Sequence, residues 1–499
     1  MPDQGLSLLG GARLMKHRRI EALLPFAVVA AFMLVILLFL PFRFKFEFDP
    51  DEGIQLIKAF LYTKGYALQT EIYSDQPPVF TVVLSTLFRI FGPEVLVARL
   101  AVLAFSCLLL TAGAHYLKLF HGQLHYLVAL LFLITLPGYP ELSVSAMIGL
   151  PSMSLAMVSV LALGVWHRRS GRGWLLLSAL ALALSTLTKA FSLILMPIFA
   201  LAIVASVVKR GAEGRFSVRA LWPAAAWLGV VISLQLVLLL ALIGPTGWDQ
   251  LIGVHLAAQD ETFEARKAVE ALRATWPMLL LALVGGWRSL VRRSWSGLVL
   301  TGWLILGLVA LFVNQPAWWH QHILATIPAA MLAGITVADC LLYLRGRGKT
   351  LWPPDRRAAL SLLGILVAVG YLAFRIPGHL EAYKAKLPNL VDDGELRVRD
   401  YEVLAAMAKA DPEGGLIVTD RPMFAFRSER EIPPELAVFS RKRLSTGWLT
   451  EDEVIAAIRK YDPRVVLFGR FDLPKVRSFV QGQYELIYAY YPFRLYLRE

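Results

Sequence analysis

The stretch Phe48-Asp49-Pro50-Asp51-Glu52-Gly53, followed by an amphipathic run and then by Tyr73-Ser74-Asp75-Gln76-Pro77-Pro78, decides how the rest of the chain is read. Its carboxylates Asp49, Asp51 and Glu52 come directly after an apolar segment, from about Glu21 to Pro41, long enough to cross a bilayer. Working outward, the 499-residue chain is 57% hydrophobic and 17% charged, with more long apolar runs than one soluble core can bury. These properties predict an α-helical polytopic membrane protein. The formal charge of +13 is concentrated in short segments between apolar runs. That pattern fits cytoplasmic loops, and no compact basic region with interleaved aromatics suggests a nucleic-acid partner.

Cys107 and Cys340 both lie inside apolar runs, which predicts small buried hydrophobes and neither a disulfide nor a thiolate metal site. Arg13, Lys16, Arg18 and Arg19 precede the first apolar run and no small-residue cleavage site follows it, so it reads as a retained helix. In the segment 42–93, Ile54, Ile57 and Leu61 recur at helical spacing while Glu52, Gln55 and Lys58 share another face. A short helix in the membrane interface is expected there.

The run from Pro77 to Phe91 is apolar but short and contains Arg89; charge asymmetry decides its place. If it does not cross, the later crossings fall near 94–116, 124–138, 147–166, 174–188, 190–208, 220–243, 276–291, 297–313, 321–343 and 358–375. Every basic cluster then shares the side of the N-terminus: Lys118; Arg168, Arg169 and Arg172; Lys209, Arg210, Arg215 and Arg219; Arg288, Arg292 and Arg293; and Arg345, Arg347, Lys349, Arg356 and Arg357. The expectation is about eleven crossings of the plasma (inner) membrane, with the N-terminus cytoplasmic and the C-terminal region extracytoplasmic. Residues 1–375 form the membrane domain in this reading and 376–499 a small soluble α/β domain. In the latter, Leu416–Thr419 and Val465–Phe468 read as buried strands, Thr450 with Glu453 as a capping box, and Tyr484–Tyr490 with Phe493–Leu497 as a hairpin. There is no GxGxxG or Walker loop to hold a nucleotide.

This topology gathers the unusual polar groups on one face: Asp49, Asp51, Glu52, Asp75, Glu141, Lys189, His255, Asp260, Glu261, Asn314, His320 and His322. Such a set suits an interfacial active site, in which a carboxylate takes a proton from an acceptor hydroxyl and cationic groups receive a phosphate leaving group. Plainer roles stand beside these: Asp49 or Glu52 as a helix cap or solvated acid, Lys189 snorkelling to headgroups, His255 as a turn residue, and Trp318-Trp319 as an interfacial belt and not a sugar platform. His320 and His322, two positions apart, do not share a helical face, which disfavours a two-histidine metal site. Asp49, Asp51 and Asp75 leave open an oxygen-rich site for a divalent cation.

The chain resembles the GT-C superfamily of polyprenyl-phosphate-sugar glycosyltransferases, of the family 39 type related to protein O-mannosyltransferases and to the lipid A aminoarabinose transferase. The resemblance rests on Asp51-Glu52 with Gly65-Tyr66, Pro77-Pro78 and Phe91-Gly92; on Pro140-Glu141 with Met147-Ile148-Gly149-Leu150-Pro151; on Leu187-Thr188-Lys189 with Pro197; and on Pro316-Ala317-Trp318-Trp319-His320-Gln321-His322. It implies a transferase that moves a sugar from a polyprenyl-phosphate donor to an acceptor glycan, lipid or protein. Asp51 matches the acid thought to activate the acceptor, and Lys189 a lysine contacting the donor phosphate, with His255, His320, Glu52, Glu141 and Asp75 as further substrate-binding candidates. The chain departs from the family pattern at Ile54, Gln76 and Leu150, where a basic residue, a lysine and an acid are usual, and Glu141 is the substitute for the last. The competing class is a lipid or sugar transporter or flippase, which calls for ionisable groups near the midplane of several helices. A non-catalytic scaffold is a further rival.

Overall fold

The computed structural model describes residues 23–498 except 41, 44, 211–217, 245–246, 258–268, 271, 314–317, 348–355 and 387–393. Arg13, Lys16, Arg18, Arg19, Arg215, Asp260, Glu261, Asn314, Pro316, Ala317 and Lys349 lie outside the described residues.

Apolar composition makes the chain mostly helical. Among the described residues seven helices are long and apolar enough to cross a membrane: Val95–Phe120, Gly149–Arg169, Ala190–Arg210, Val218–Ile243, Trp295–Val313, Trp319–Gly346 and Arg356–Gly378. Leu23–Phe39, Gln123–Ile134, Arg172–Thr188 and Trp276–Val291 are apolar but shorter, and they fill the other places where crossings are expected. The architecture is that of a multi-pass membrane protein. Val79–Phe91, the run assigned to the interface, has 13 residues and rises only about 20 Å, against roughly 30 Å of hydrocarbon.

In chain order the membrane region comprises α1 (Leu23–Phe39), α2 (Pro50–Thr63), α3 (Val79–Phe91), α4 (Val95–Phe120), α5 (Gln123–Ile134), α6 (Tyr139–Leu142), α7 (Gly149–Arg169) and α8 (Arg172–Thr188). It continues with α9 (Met196–Arg210), α10 (Trp222–Ile243), α11 (Trp248–Ala257), α12 (Trp276–Val291), α13 (Trp295–Val313), α14 (Ile323–Arg347) and α15 (Arg356–Lys386). The spans built on α7 and α14 are buried over 78% and 72% of their apolar windows, so these two form the centre of the bundle.

Helix α2 starts where its sequence directs. Asp49 accepts the Asp51 N–H at 2.9 Å as N-cap, Pro50 takes the first turn, and Asp51 and Glu52 favour the positive end of the dipole. Its polar face is covered: Glu52, Gln55 and Lys58 are all buried. The Glu52 carboxylate, rather than being a solvated acid, receives Arg99 of α4 at 2.8 and 2.7 Å, together with the N–H groups of Phe48 and Ala146. Burial would raise the Glu52 pKa, but the Arg99 charge and these hydrogen bonds outweigh it and hold the group below the usual carboxylate range.

The C-terminal region contains α16 (Gly394–Ala410), β1 (Ile417–Thr419), α17 (Pro422–Arg427), α18 (Arg441–Ser445), α19 (Glu451–Tyr461), β2 (Val465–Phe468), α20 (Pro474–Gln481), β3 (Glu485–Tyr490) and β4 (Phe493–Leu497). The sheet order is β1-β2-β4-β3, with β1 and β2 parallel and the β3–β4 hairpin antiparallel. Thr450 and Glu453 form the expected reciprocal capping box at α19. The region packs down on α2 and the first loop: Arg443 stacks on Tyr73 at 3.5 Å, Tyr66 donates to Glu431, and Arg421 pairs with Glu47.

Replacing Glu52 with Gln leaves the Arg99 charge buried without its counter-ion, so a loss of roughly 3–5 kcal/mol is expected. The check is a lowered thermal unfolding midpoint of the purified protein; an unchanged midpoint contradicts the structural role given to the pair.

Candidate active site

One residue before Glu52, about 100° around the helix, Asp51 faces the other way. It opens on a cavity of about 420 Å³ where α2, the start of α7, the α8–α9 turn, α11 and the Trp319–His322 turn meet the C-terminal region. Of the residues singled out in the sequence, Asp51, Asp75, Lys189, His255 and His320 line this cavity together. Glu52 and Glu141 do not, Glu52 being engaged by Arg99 and Glu141 sitting in the one-turn helix α6. His322 is also absent from the lining; its ring contacts Thr326 Oγ1 and the Pro137 carbonyl. Asp49 serves as the α2 cap and accepts from Trp319 Nε1 at 3.3 Å. Trp319 thus takes a structural bond while Trp318 lines the cavity.

The trio Asp49, Asp51 and Asp75 does not gather into an oxygen-rich site. Among the described residues no group of three His, Cys, Asp or Glu side chains could hold a metal ion. The reason is local: one acid caps a helix, and Asp75 is taken by a lysine.

The sequence reading missed the cations that the C-terminal region contributes. Arg441 and Lys442 at the start of α18, and Arg470 after β2, all reach the cavity. Arg470 is positioned by Asp420, whose buried carboxylate accepts the N–H groups of Gly469, Arg470 and Phe471 at 2.9, 2.7 and 2.8 Å. Asp420 follows β1 and Arg470 follows β2, so the arginine stands at the carboxyl end of the parallel pair, where α/β sheets commonly place ligands. It lies 3.4 Å from Asp51. The one local signal was the Ser440-Arg441-Lys442-Arg443 run, with Ser440 as N-cap, which gives no hint of which element it will face.

Lys442 Nζ donates to Asp75 Oδ2 at 3.3 Å and to His255 Nδ1 at 2.7 Å, while His255 Nε2 lies 3.0 Å from the Asp75 carbonyl oxygen. The pattern assigns a neutral His255 that accepts at Nδ1 and donates at Nε2. Burial first, then the Lys442 charge, depresses its pKa. Burial also opposes ionisation of Asp75, yet the charges of Lys442 and Lys58 hold its pKa below the ordinary value. Asp51 goes the opposite way: enclosure raises its pKa and the charge of Asp49 adds to the rise, with Arg470 offsetting only part.

Lys189 follows α8 in the Thr188-Lys189-Ala190 turn, with its ammonium 4.9 Å from the Phe191 ring centroid and no hydrogen bond to a described residue. Burial brings its pKa down to about 8 against the pull of Asp51 and Asp75. His320 is buried, and its Nδ1 has no hydrogen-bond partner among the described residues. The cavity wall thus carries Lys189, Arg441, Lys442 and Arg470 against Asp51 and Asp75, an excess of positive charge suited to an anionic ligand beside one basic carboxylate.

No family model and no curated protein matches the chain. Solved structures do. ArnT from Cupriavidus metallidurans bound to undecaprenyl phosphate superposes with a TM-score of 0.63 at 13% identity, over 94% of this chain and 97% of that one. Its apo form gives a TM-score of 0.63 at 12% identity, with the same coverage. The archaeal oligosaccharyltransferase AglB from Archaeoglobus fulgidus, in complex with an inhibitory peptide and a dolichol-phosphate, gives 0.54 at 13% identity, over 90% of this chain and 70% of that one. The chain has the fold of these solved structures. At this level of identity the likeness is one of architecture, and the chemistry must be argued from the cavity itself.

The cavity depends on close docking of α17 against α2: a Cβ on Gly53 would lie 2.5 Å from the Met423 backbone nitrogen, which has no room to yield. Gly53→Ala is therefore expected to cost about 1–3 kcal/mol. Limited proteolysis should reach the C-terminal region faster than in the parent protein; equal rates would refute this docking constraint.

Proposed function

We propose that the protein is a membrane glycosyltransferase that moves a sugar from a polyprenyl-phosphate donor to an acceptor hydroxyl, with inversion. The observation that carries the reading is the pairing, in one cavity at the end of the helix bundle, of a partly exposed carboxylate with a basic wall. Asp51 takes the proton of the acceptor hydroxyl, whose oxygen attacks the anomeric carbon. The bond from that carbon to the phosphate oxygen breaks, and the polyprenyl phosphate leaves with the electron pair. Lys189, whose ammonium has no hydrogen bond to a described residue, receives the developing phosphate charge, joined by Lys442 and Arg441. His320 and His255 border the same space and contact the sugar or phosphate. The acceptor is a hydroxyl of a glycan, a lipid or a protein.

The basic loop clusters support an inner-membrane orientation with the N-terminus cytoplasmic and the cavity facing outward, where lipid-linked sugars replace nucleotide sugars as donors. In this reading residues 376–499 are the soluble domain that closes the cavity over the 1–375 membrane domain. The GT-C fold, shared with proteins captured with undecaprenyl phosphate and dolichol-phosphate, agrees with a lipid-phosphate donor.

In membranes supplied with a radiolabelled polyprenyl-phosphate sugar, Asp51→Asn should lower transfer by roughly 10²–10⁴-fold at normal protein level, the usual contribution of a general base. Unchanged transfer removes Asp51 from that role, and no transfer by the parent protein from any such donor removes the proposal.

The pH dependence follows from the same groups. As pH falls through the raised Asp51 pKa the base is protonated and lost; as pH rises through about 8, Lys189 loses its charge and its grip on phosphate. A bell-shaped kcat/KM profile is expected. Lys58 also titrates at about 8, but its ammonium is bonded to Ser74 and does not line the cavity. Lys189→Arg should therefore move the alkaline limb upward; an alkaline limb that stays in place would assign it to another group.

A further inference from the structure

A second cavity lies at the other end of the bundle. It encloses about 880 Å³ between α12, α14 and α15, within the size range of ligand sites, roughly 300–1,000 Å³. Helices α12 and α15 both pack on α14 and touch each other little, which leaves the gap. Its walls are apolar, with Leu283, Trp287, Val291, Leu360 and Leu363 all largely exposed towards the surrounding hydrocarbon. One end is charged. Asp339 of α14 receives Arg288 at 2.8 Å, Arg292 at 3.5 Å and His125 at 3.0 Å. Arg357, at the start of α15, lines the same end and pairs with no described residue.

Two guanidinium groups thus meet one carboxylate while a third lines the same end, and of the arginines Arg288 alone makes a short contact with it. Asp339 lies sixteen residues along α14 from Ile323, which borders the first cavity's His320, so the charged end is displaced by roughly 24 Å along the helix. The site is therefore separate from the one that holds Asp51. An apolar slot open to hydrocarbon with spare arginines at the level of the basic loops is complementary to a lipid with a phosphate headgroup.

We propose that this groove binds an anionic glycerophospholipid of the leaflet facing the basic loops, its acyl chains along α12 and α15 and its phosphodiester on Arg292 and Arg357. Asp339, neutralised by Arg288, holds the arginine cluster in place and does not contact the lipid. A lipid that merely surrounds the bundle would show no headgroup preference at this position.

The test uses the full-length protein in nanodiscs of phosphatidylcholine doped with phosphatidylglycerol, with retained lipids counted by native mass spectrometry. The parent protein should retain phosphatidylglycerol in preference to phosphatidylcholine. Retention should fall by about fivefold for each arginine lost in Arg292→Gln and Arg357→Gln, with Arg288 left to pair Asp339. Leu363→Trp, which fills the slot without changing charge, should lower retention as well. Equal retention of the two lipids by the parent protein, or unaltered retention in the double arginine variant, overturns the proposal. Displacement of phosphatidylglycerol by added polyprenyl phosphate also overturns it, by assigning the groove to that lipid.

Discussion

The buried ion pair between Glu52 and Arg99 is the contact on which the geometry of the cavity depends. Both side chains are fully buried, and a lone charge in either place costs roughly 3–5 kcal/mol. Their hydrogen bonds reach far beyond the pair: Arg99 also donates to the carbonyls of Phe42 and Lys45, and Glu52 accepts from Phe48 and Ala146. Four chain segments are thereby fixed to one another: the start of the first loop, α2, α4 and the turn before α7. Asp51, Gly149 and Lys189 are presented to one cavity from the ends of elements that this network aligns.

Two adjacent carboxylates acquire opposite characters from this arrangement. Glu52 points into the protein, meets a guanidinium and two other N–H donors, and is held ionised as a structural group. Asp51 points into the cavity, has Asp49 nearby and a single arginine at 3.4 Å, and is left with a raised proton affinity. Nothing in the residue types separates them; a rotation of one residue along the helix does. The family resemblance placed both in the site, and only tertiary structure separates the cavity-facing carboxylate from the anchor.

Features of the C-terminal region set by local chemistry were legible in the sequence. The Thr450–Glu453 box and the closing hairpin arise from contacts between near neighbours in the chain, and the strands at 417–419 and 465–468 are marked by their own short apolar runs. The series of apolar helices was legible for the same reason, through length and loop charge. What could not be read was set by docking. Arg99 lies within an apolar run, where no periodicity reveals that its partner is 47 residues upstream. Lys442 and Arg470 belong to a region with ordinary charge content and reach the cavity only because α17 settles on Gly53 and Arg443 stacks on Tyr73. The Asp49, Asp51 and Asp75 set left open by the sequence does not form, because proximity in sequence does not stop a cap from claiming Asp49 or a lysine from claiming Asp75.

The cavity is closed by groups that already hold each other. Arg470 faces Asp51, and Lys442 bridges Asp75 and His255, so the cations offered to an anionic ligand are neutralised in part by carboxylates in its absence. Lys189 differs, because desolvation acts on its ammonium with no hydrogen-bonded counter-ion to offset it. An arriving phosphate gains most at Lys189, where no ion pair with a described residue must be broken, and less at Lys442 and Arg470, where it competes with Asp75 and Asp51. The competition has a direction. Drawing Arg470 towards a phosphate removes the positive charge that lowers the Asp51 pKa, making that carboxylate a stronger base when a ligand fills the cavity.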